Sequence, residues 1–351
     1  MRPLVTIPLF ILVFLIIIAI VLFYSLQKYI VYEQDGLSVR VPLLSGEDVT
    51  IRSDPDSTAP HGSGVVAEIV IDAPNYSGVT SNAGLDLSPV KALYVSSEDV
   101  NSGVLASAAS LLEARGANAL IIDMKPSGGR LTWSSSTYMS RAFDTSGTLE
   151  PAEVLSSLKD SGVYLIAQIS CLADTLTATR DAPAALRASD GSIYSDSAGS
   201  WLDPYSSDTR EYLTSLMDEL AQLGFDEILL TNIIHPTDPV TYSQPLSFEP
   251  TPVTAVSSLA KKLTDHMSGT GVRVSALLSQ DTVRTDGAGE LNGQDLALFS
   301  EVFDRLYLYT TPEQLDSDSA AVSSAFDKGE TGCRFVPIMS ASGNTESWAI
   351  R

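Results

Sequence analysis

The sequence is poor in basic side chains. It has 21 Lys and Arg against 43 Asp and Glu, which gives a formal net charge of -22 at pH 7. A field of this sign repels phosphate backbones and anionic lipid headgroups, so it argues against a nucleic-acid partner. Neutral ligands such as sugars, and cations, remain compatible with this charge.

Cysteine and the common cofactor motifs are also scarce. Cys171 and Cys333 are too few for a disulfide framework and lack metal-ligand spacing, so they form either one disulfide or two buried thiols. The apolar run ALYVSS (92–97) is followed by EDVNSG rather than by a glycine-rich dinucleotide loop. The sequence also has no G-x-S-x-G elbow and no calcium loop. We therefore predict no metal and no cofactor.

One long apolar run is present, LVTIPLFILVFLIIIAIVLFY at residues 4–24. At 1.5 Å per helical residue such a run spans a bilayer core of roughly 30 Å. Its length favours an uncleaved anchor over a cleaved signal sequence, whose apolar core is usually shorter. Arg2 on its amino side predicts a cytoplasmic N-terminus. We expect a single-pass protein of the cell membrane with an extracytoplasmic C-terminal domain.

Composition divides the remaining chain into two segments. Residues 26–90 contain short β-like runs and the separator RSDPDSTAPHGSG at 52–64, whose Ser, Pro, Gly and Asp content is typical of a mobile linker. We interpret 1–25 as the anchor, 26–90 as a stalk that can hold one short β-hairpin, and 91–351 as one large domain.

This large domain alternates short apolar runs with longer amphipathic stretches. The eight apolar runs are ALYVSS (92–97), ALIIDM (119–124), VYLIAQI (163–169), EILLTNII (227–234), RVSALLS (273–279), RLYLYT (305–310), RFVPIMS (334–340) and SWAI (347–350). Nearly continuous apolar strands predict a parallel sheet that is buried on both faces.

The stretches between the runs have helical spacing and helix-terminating glycines. We predict helices over 104–116, 151–162, 209–224, 253–267 and 316–327. Eight strands alternating with helices predict the α/β class and a closed (β/α)8 barrel. The alternative is an open doubly wound sheet. The sequence ends directly after the eighth run, so we expect no outer helix there.

Five segments in order resemble a bacterial family of TIM-barrel domains related to glycoside hydrolases. They are NALIIDMKPSGGRLTW (118–133), LKDSGVYLIAQIS (158–170), GSWLDPYSSDTREYL (199–213), LGFDEILLTNIIHP (223–236) and LNGQDLALFSEVFD (291–304). The resemblance covers roughly residues 88–340 and implies a TIM barrel with a carbohydrate as ligand.

The sequence departs from the family pattern at two acidic positions. The family stretch reads like FDEIQFDYVRFP, with an aspartate at the inward end of the strand, and here that place is held by Thr231. The carboxylate expected on the next strand is replaced by Leu277. Glycoside hydrolysis usually needs two carboxyl groups across the scissile bond, and neither replacement supplies one.

Chemistry in such a barrel sits at the C-terminal ends of the strands and in the loops that follow them. Asp123 lies near the end of the second run and is our catalytic candidate. The alternative is that Asp123 forms a structural ion pair with Lys125 or Arg130. The candidate substrate-binding residues combine a position near this rim with a polar group or an aromatic ring: Lys125, Trp133, Trp201, Asp203, Tyr205, Asn232, His235, Tyr307 and Tyr309.

Several of these residues also have a simpler explanation. Asp203 precedes a helix and can cap it. Tyr307 and Tyr309 share one face of a strand, which either points inward and binds sugar or packs against helices. Asp226 and Glu227 lie at the start of a strand, the end associated with stability, so we do not select them as catalysts.

Two functions are therefore compatible with the sequence. The first is a membrane-anchored, glycoside hydrolase-like protein that acts on or binds a glycan at the cell envelope. The second is a catalytically inactive glycan-binding or envelope scaffold protein. Only the first function requires a pair of carboxyl groups that face each other across the barrel mouth.

Overall fold

The computed structural model describes residues 30–33, 36–39, 87–242, 246, 250–326, 331–342 and 345–351. The apolar run 4–24 lies outside these ranges. Two units are distinguished, Met1–Ile71 and Asp72–Arg351. In the first, β1 (Ile30–Glu33) and β2 (Gly36–Val39) form an antiparallel hairpin. Within the described ranges, no helix combines the length and apolarity needed to cross a membrane.

Within the described ranges, the second unit contains the parallel strands and two small antiparallel pairs. Its strands are β3 (Lys91–Val95), β4 (Ala119–Lys125), β5 (Tyr164–Ser170), β6 (Arg187–Ala188), β7 (Ser195–Asp196), β8 (Gly199–Ser200), β9 (Glu227–Thr231), β10 (Val240–Thr241), β11 (Arg273–Leu278), β12 (Leu306–Tyr309), β13 (Phe335–Met339) and β14 (Trp348–Ile350). Strand β10 pairs with β6, and β7 pairs with β8, in the long excursions above the sheet.

Helices connect the strands along one side of the sheet. In the described ranges they are α1 (Ser102–Arg115), α2 (Tyr138–Ala142), α3 (Ala152–Asp160), α4 (Thr175–Arg180), α5 (Ser207–Gln222), α6 (Pro252–Met267), α7 (Gln280–Arg284), α8 (Ala288–Asn292), α9 (Leu296–Val302), α10 (Leu315–Ser323) and α11 (Thr331–Arg334). Each of the five predicted helices overlaps one of these.

Eight strands close into a parallel barrel in the order β3-β4-β5-β9-β11-β12-β13-β14. The last strand completes the ring, since Ala349 pairs with Ile338 of β13 on one side and with Ala92 of β3 on the other. Each predicted apolar run overlaps one barrel strand. The closed barrel is therefore confirmed, and the open sheet is wrong.

Local chemistry sets the helix termini. Asn101 caps α1 by accepting hydrogen bonds from the amides of Gly103 and Val104, and Gly116 ends that helix in the left-handed conformation with φ 63°. Thr251 begins α6 with a capping box, and Pro252 occupies its first turn.

The strands separate two hydrophobic layers because successive side chains point to opposite faces. The layer between strands and helices includes Leu120 and Ile122, whereas Ala119 and Ile121 belong to the layer inside the barrel. The same alternation places Asp123, two residues after Ile121, on the inward face near the carboxyl end of β4. It brings the candidate acid to the barrel mouth.

The opposite end of the barrel is closed by a buried ionic network. Glu227 is fully buried and accepts hydrogen bonds from the hydroxyls of Tyr307 at 2.8 Å and Tyr164 at 2.9 Å. It also pairs with Arg305, which donates to the carbonyl oxygens of Ser88 and Cys333 at 2.9 and 3.0 Å. Because every charged atom has a partner, the network stabilises the barrel floor.

Tyr307 was predicted to contact substrate, and its position contradicts this. It is fully buried, and its hydroxyl is bonded to Glu227 at the floor, away from the mouth. Burial raises the pKa of Tyr307, and the Glu227 charge raises it further, so the phenol keeps its proton and acts as a donor. Glu227 lies at the stability end of the strand, as the sequence indicated.

The floor network yields a stability prediction. We expect Glu227→Gln to lower the free energy of unfolding by about 3 to 5 kcal/mol, because the buried Arg305 loses its counter-charge. Urea unfolding of the full-length chain at neutral pH, followed by circular dichroism, measures the change. Glu113→Gln on the exposed face of α1 is the matched control. Equal losses in the two variants would contradict a stabilising role for the network.

Candidate functional site

The candidate site is the barrel mouth, where the carboxyl ends of the parallel strands meet. Tyr94, Leu277 and Tyr309 border the inner apolar layer from this side. By alternation, Gln168 and Thr231 also point inward at the ends of β5 and β9. The mouth therefore combines phenol, amide, hydroxyl and alkyl groups around Asp123.

Asp123 is the central ionisable group of the mouth. Its Oδ2 accepts a hydrogen bond from the Tyr94 hydroxyl at 3.3 Å. Its Oδ1 is buried and meets no donor at good geometry in the described part of the chain, although the side chains of Ser97 and Gln168 approach the carboxyl. Among the ion pairs of that part, none includes Asp123.

Burial raises the pKa of Asp123 above the ordinary aspartate value, and hydrogen bonding from Ser97, Gln168 and Tyr94 opposes the shift without cancelling it. The cause is desolvation, which disfavours the charged carboxylate. Asp123 consequently holds its proton to higher pH than an exposed aspartate does. A carboxyl with this property can donate as well as accept hydrogen bonds.

Arg351 lies beside the two tyrosines of the mouth. Its guanidinium carbon is 4.8 Å from the ring centroid of Tyr94 and 5.3 Å from that of Tyr309, and it donates a hydrogen bond to the Tyr309 hydroxyl. The pKa of Tyr94 is raised to about 12, first by burial and then by the negative charge of Asp123. The sequence analysis did not select Tyr94 or Arg351.

A cleft of about 470 Å³ opens at the ends of β9, β11 and β12. It is lined by Asn232, Ile234, Leu277, Leu278, Ser279, Gln280, Asp281 and Tyr309. Two of the predicted substrate-binding residues, Asn232 and Tyr309, thus share one cleft. Asp281 adds an exposed carboxylate to its wall.

Asn232 occupies the bend where the chain leaves β9. Its φ of 48° lies in the left-handed region, which asparagine tolerates better than most residues. The side-chain amide donates to the Ser170 hydroxyl at 2.9 Å, and the backbone carbonyl of Asn232 accepts from the Leu172 backbone amide at 3.2 Å. These bonds tie the loops after β5 and β9 together and fix the Asn232 amide on the cleft wall.

Lys125 was predicted to bind substrate, and the structure corrects this. The side chain is fully buried and forms an ion pair with Asp174 at 2.8 Å, and its ammonium donates to the Ser170 carbonyl at 2.6 Å. A register shift between Asp123 and Lys125 breaks the alternation of β4, so the two side chains do not share the mouth. The proposed ion pair between them is absent from the described residues.

Trp133 and Trp201 were predicted as stacking surfaces, and both are buried in the outer apolar layer. The Trp133 indole donates to Glu219 on α5 at 2.9 Å, and Trp201 packs edge-on against Tyr194 with ring centroids 6.5 Å apart. Neither ring offers a free face to a ligand. Their positions contradict the stacking role and favour a structural one.

Asp203, Tyr205 and His235 come together in one cluster with Tyr242. Asp203 is buried and accepts from the Tyr205 amide at 2.8 Å, while the rings of Tyr205 and Tyr242 meet edge to face at 4.9 Å. His235 directly follows Ile234 of the cleft wall. The cluster therefore flanks the cleft, and Tyr242 is a member that the sequence analysis missed.

The hydrogen bonds of His235 define its tautomer. Its Nδ1 lies 2.7 Å from the Pro236 carbonyl oxygen, and because a carbonyl only accepts, Nδ1 carries the hydrogen. Its Nε2, 3.1 Å from the Tyr242 hydroxyl, then accepts from Tyr242. Burial lowers the pKa of His235, which favours this neutral form.

The remaining chemistry-bearing groups form no metal centre within the described ranges, where no three His, Cys, Asp or Glu side chains are arranged to hold an ion. Cys171 and Cys333 are thiols that do not form a disulfide with each other, Cys171 buried and Cys333 partly buried. Burial raises the pKa of Cys171 to about 12, although the Lys125 charge opposes the shift, so its thiol is unreactive at neutral pH.

The fold and the mouth define a (β/α)8 barrel whose polar groups gather at the carboxyl ends of its strands. Residues 92–321 match the family described as "putative glycosyl hydrolase domain". Since this match covers more than half of the chain, the protein belongs to that family, as the five sequence segments predicted. No curated protein matches the sequence.

Several solved structures are similar to this chain. The glycoside hydrolase domain of PgaB (BpsB) from Bordetella bronchiseptica matches with a TM-score of 0.56 and 12% identity, over 75% of this chain and 94% of that one. A hypothetical protein from Ruminiclostridium thermocellum ATCC 27405 matches with a TM-score of 0.48 and 22% identity, over 52% and 96%. The GH20 beta-N-acetylhexosaminidase from Streptomyces coelicolor A3(2) matches with a TM-score of 0.48 and 14% identity, over 72% and 48%.

The raised pKa of Asp123 predicts a pH-dependent stability. A carboxyl whose folded-state pKa lies above its unfolded value of roughly 3.9 stabilises the fold below that value, and this contribution is lost as the pH rises through the folded pKa. We expect Asp123→Asn to gain stability relative to the wild type as the pH rises from about 4, and the gain to level off above the folded pKa.

Urea unfolding of both full-length chains between about pH 3 and pH 8 measures this difference. Asp265→Asn on α6 replaces an exposed acid and reports the effect of the substitution itself. A stability difference that stays flat, or that shrinks as the pH rises, would contradict burial as the main influence on Asp123.

Proposed function

We propose that the barrel mouth binds a carbohydrate, with Asp123 as its central hydrogen-bonding group. The observation that carries this proposal is the state of Asp123, which faces the mouth, contacts Tyr94, and has no cationic partner in the described part of the chain. An inward carboxyl that is not used by the fold is a candidate for ligand contact.

The surrounding groups suit a sugar. Sugars present hydroxyls that donate and accept together with apolar C–H faces, and sites for them combine a few fixed polar groups with apolar walls. The Asn232 amide and the Asp281 carboxylate offer hydrogen bonds, while Leu277 and the Tyr309 ring offer apolar surface. Tyr205 and His235 flank this cleft and extend the polar border.

Hydrolysis is a second candidate, favoured by the raised pKa of Asp123. A carboxyl whose pKa is raised is better suited than an exposed aspartate to donate a proton to a leaving oxygen. The two positions where the family resemblance implied acids hold Thr231 and Leu277, so a second carboxyl must come from a loop. Asp281 on the cleft wall is the residue that we assign to this role.

The binding proposal is tested by a glycan array followed by calorimetry on the full-length chain. We expect Asp123→Ala to weaken binding of the selected glycan at least about tenfold, because it removes a hydrogen bond in a partly desolvated site. Asp265→Ala on α6 is the control and should leave affinity unchanged. A glycan that binds both variants as well as it binds the wild type would remove Asp123 from the site.

The same glycans test hydrolysis. If the mouth cleaves its ligand, Asp123→Asn should lower the rate by roughly 100- to 10,000-fold while the glycan still binds, since loss of a general acid affects the reaction more than binding. A parallel fall in Asp281→Asn identifies the second carboxyl. Binding without any product release supports the glycan-binding function and excludes hydrolysis of the glycans tried.

We further infer that residues 1–25 anchor the protein in the cell membrane, that 26–90 form a stalk, and that the domain 91–351 faces the extracytoplasmic side. The support is the uncharged apolar run at 4–24, which is long enough to span a bilayer core, and the position of Arg2 before it. A barrel mouth held outside the membrane would meet glycans of the cell envelope.

Cell fractionation tests this arrangement. We expect the full chain in the membrane fraction, where it resists extraction by high salt, and a variant lacking residues 4–24 in the soluble fraction, because the apolar run supplies the membrane affinity. A variant lacking residues 52–64, which keeps the run, should remain in the membrane fraction. If both deletions behave alike, the run is not the anchor.

A further inference from the structure

Arg351 presents a fixed guanidinium at the barrel mouth. Its backbone amide donates to the Met339 carbonyl at 3.2 Å, continuing the pairing of β14 with β13. Its side chain lies over the faces of Tyr94 and Tyr309, which attract a cation through their ring electrons. The contacts with two rings, together with the hydrogen bond to the Tyr309 hydroxyl, restrict the positions that the guanidinium can take.

Among the described residues, most of the hydrogen-bonding capacity of this guanidinium is unused. An arginine side chain carries five donor hydrogens, and within those residues it makes one bond, to the Tyr309 hydroxyl. In the described part of the chain none of the ion pairs includes Arg351, although Asp123 contacts the same Tyr94 ring. The side chain is exposed, so its remaining donors face the solvent of the mouth.

Two acids lie near this part of the mouth. Burial raises the pKa of Asp123, and the exposed Asp281 stands on the wall of the cleft that Tyr309 also lines. The net charge of -22 repels an anion mainly from a distance. Salt at about 0.15 M weakens this repulsion, because it screens exposed charges that lie more than roughly 8 Å apart. At contact distance the guanidinium of Arg351 can donate two parallel N–H hydrogen bonds, which match the two oxygens of a carboxylate or a phosphate.

We propose that Arg351 is an anion-binding group of the mouth and that the carbohydrate bound there is acidic, carrying a carboxylate or a phosphate on the sugar. This inference rests on the proposed function and narrows its ligand class. The anionic group contacts Arg351 on the side of the mouth formed by Tyr94 and Tyr309. The sugar hydroxyls then contact Asp123, which lies beyond Tyr94. They also contact Asn232, which lines the same cleft as Tyr309.

The experiment compares matched glycans on the full-length chain. Uronate-containing oligosaccharides are paired with their carboxyl-reduced counterparts, and phosphorylated oligosaccharides with their dephosphorylated counterparts, in calorimetric titrations. We expect the acidic member of one pair to bind about tenfold or more tightly, because a bidentate charged contact adds to the neutral ones. The pair that shows the preference identifies the anion as carboxylate or phosphate.

Two variants of Arg351 locate the contact. Arg351→Gln should reduce the acidic preference to about onefold, and Arg351→Lys should retain part of the preference because it keeps the charge and loses the two parallel donors. Arg115→Gln, an exposed change at the C-terminal end of α1, is the control and should keep the full preference. Thermal unfolding of each variant reports whether the fold is intact.

The outcomes separate this inference from the proposed function. Equal affinity for the acidic and neutral members of every pair, with binding lost in Asp123→Ala, overturns the acidic ligand and leaves the carbohydrate site standing. An acidic preference that survives in Arg351→Gln assigns the anion to another group and also overturns the inference. Absence of binding by every glycan tested overturns both.

Discussion

Closure of the parallel sheet is the constraint on which the rest of the structure depends. Once eight strands form a ring, alternate side chains have no choice but to share one narrow interior. Glu227 and Asp123 both fall on that inward face, one at the start of β9 and one near the end of β4. Their surroundings differ. Glu227 pairs with Arg305 and accepts hydrogen bonds from two tyrosine hydroxyls, whereas Asp123 accepts a hydrogen bond from the Tyr94 hydroxyl and pairs with no cation among the described residues.

This difference separates stability from chemistry along one axis of the barrel. The floor carboxylate is fully paired, and its partners Tyr164 on β5 and Arg305 and Tyr307 at β12 are joined through it to β9. The mouth carboxyl is partly desolvated and makes no ion pair within the described ranges, so its ionised form is disfavoured by the fold. A side chain that lowers the stability of the fold when it is charged is expected at positions that are selected for function rather than for stability.

Much of the fold and part of the mouth could be predicted from the sequence. The eight strands were recognisable because each is buried on both faces and is therefore apolar throughout, and the strand-end rule brought Asn232 and Tyr309 to one cleft. The rule failed for Lys125, since a register shift in β4 turns it toward Asp174. It failed for Trp133 because the acceptor of its indole, Glu219, lies on a helix 86 residues away.

Arg351 shows why the most specific part of the mouth is invisible to sequence reasoning. It meets Tyr94 only because β14 completes the ring beside β3, so two ends of the domain become neighbours. No local pattern encodes that contact, and neither residue stands out by composition. The ring closure that forces Glu227 and Arg305 together at the floor thus also brings a guanidinium to two phenols at the mouth. The arrangement of Arg351, Tyr94 and Tyr309 at the mouth is therefore a consequence of closure, and it does not involve the two positions that Thr231 and Leu277 occupy.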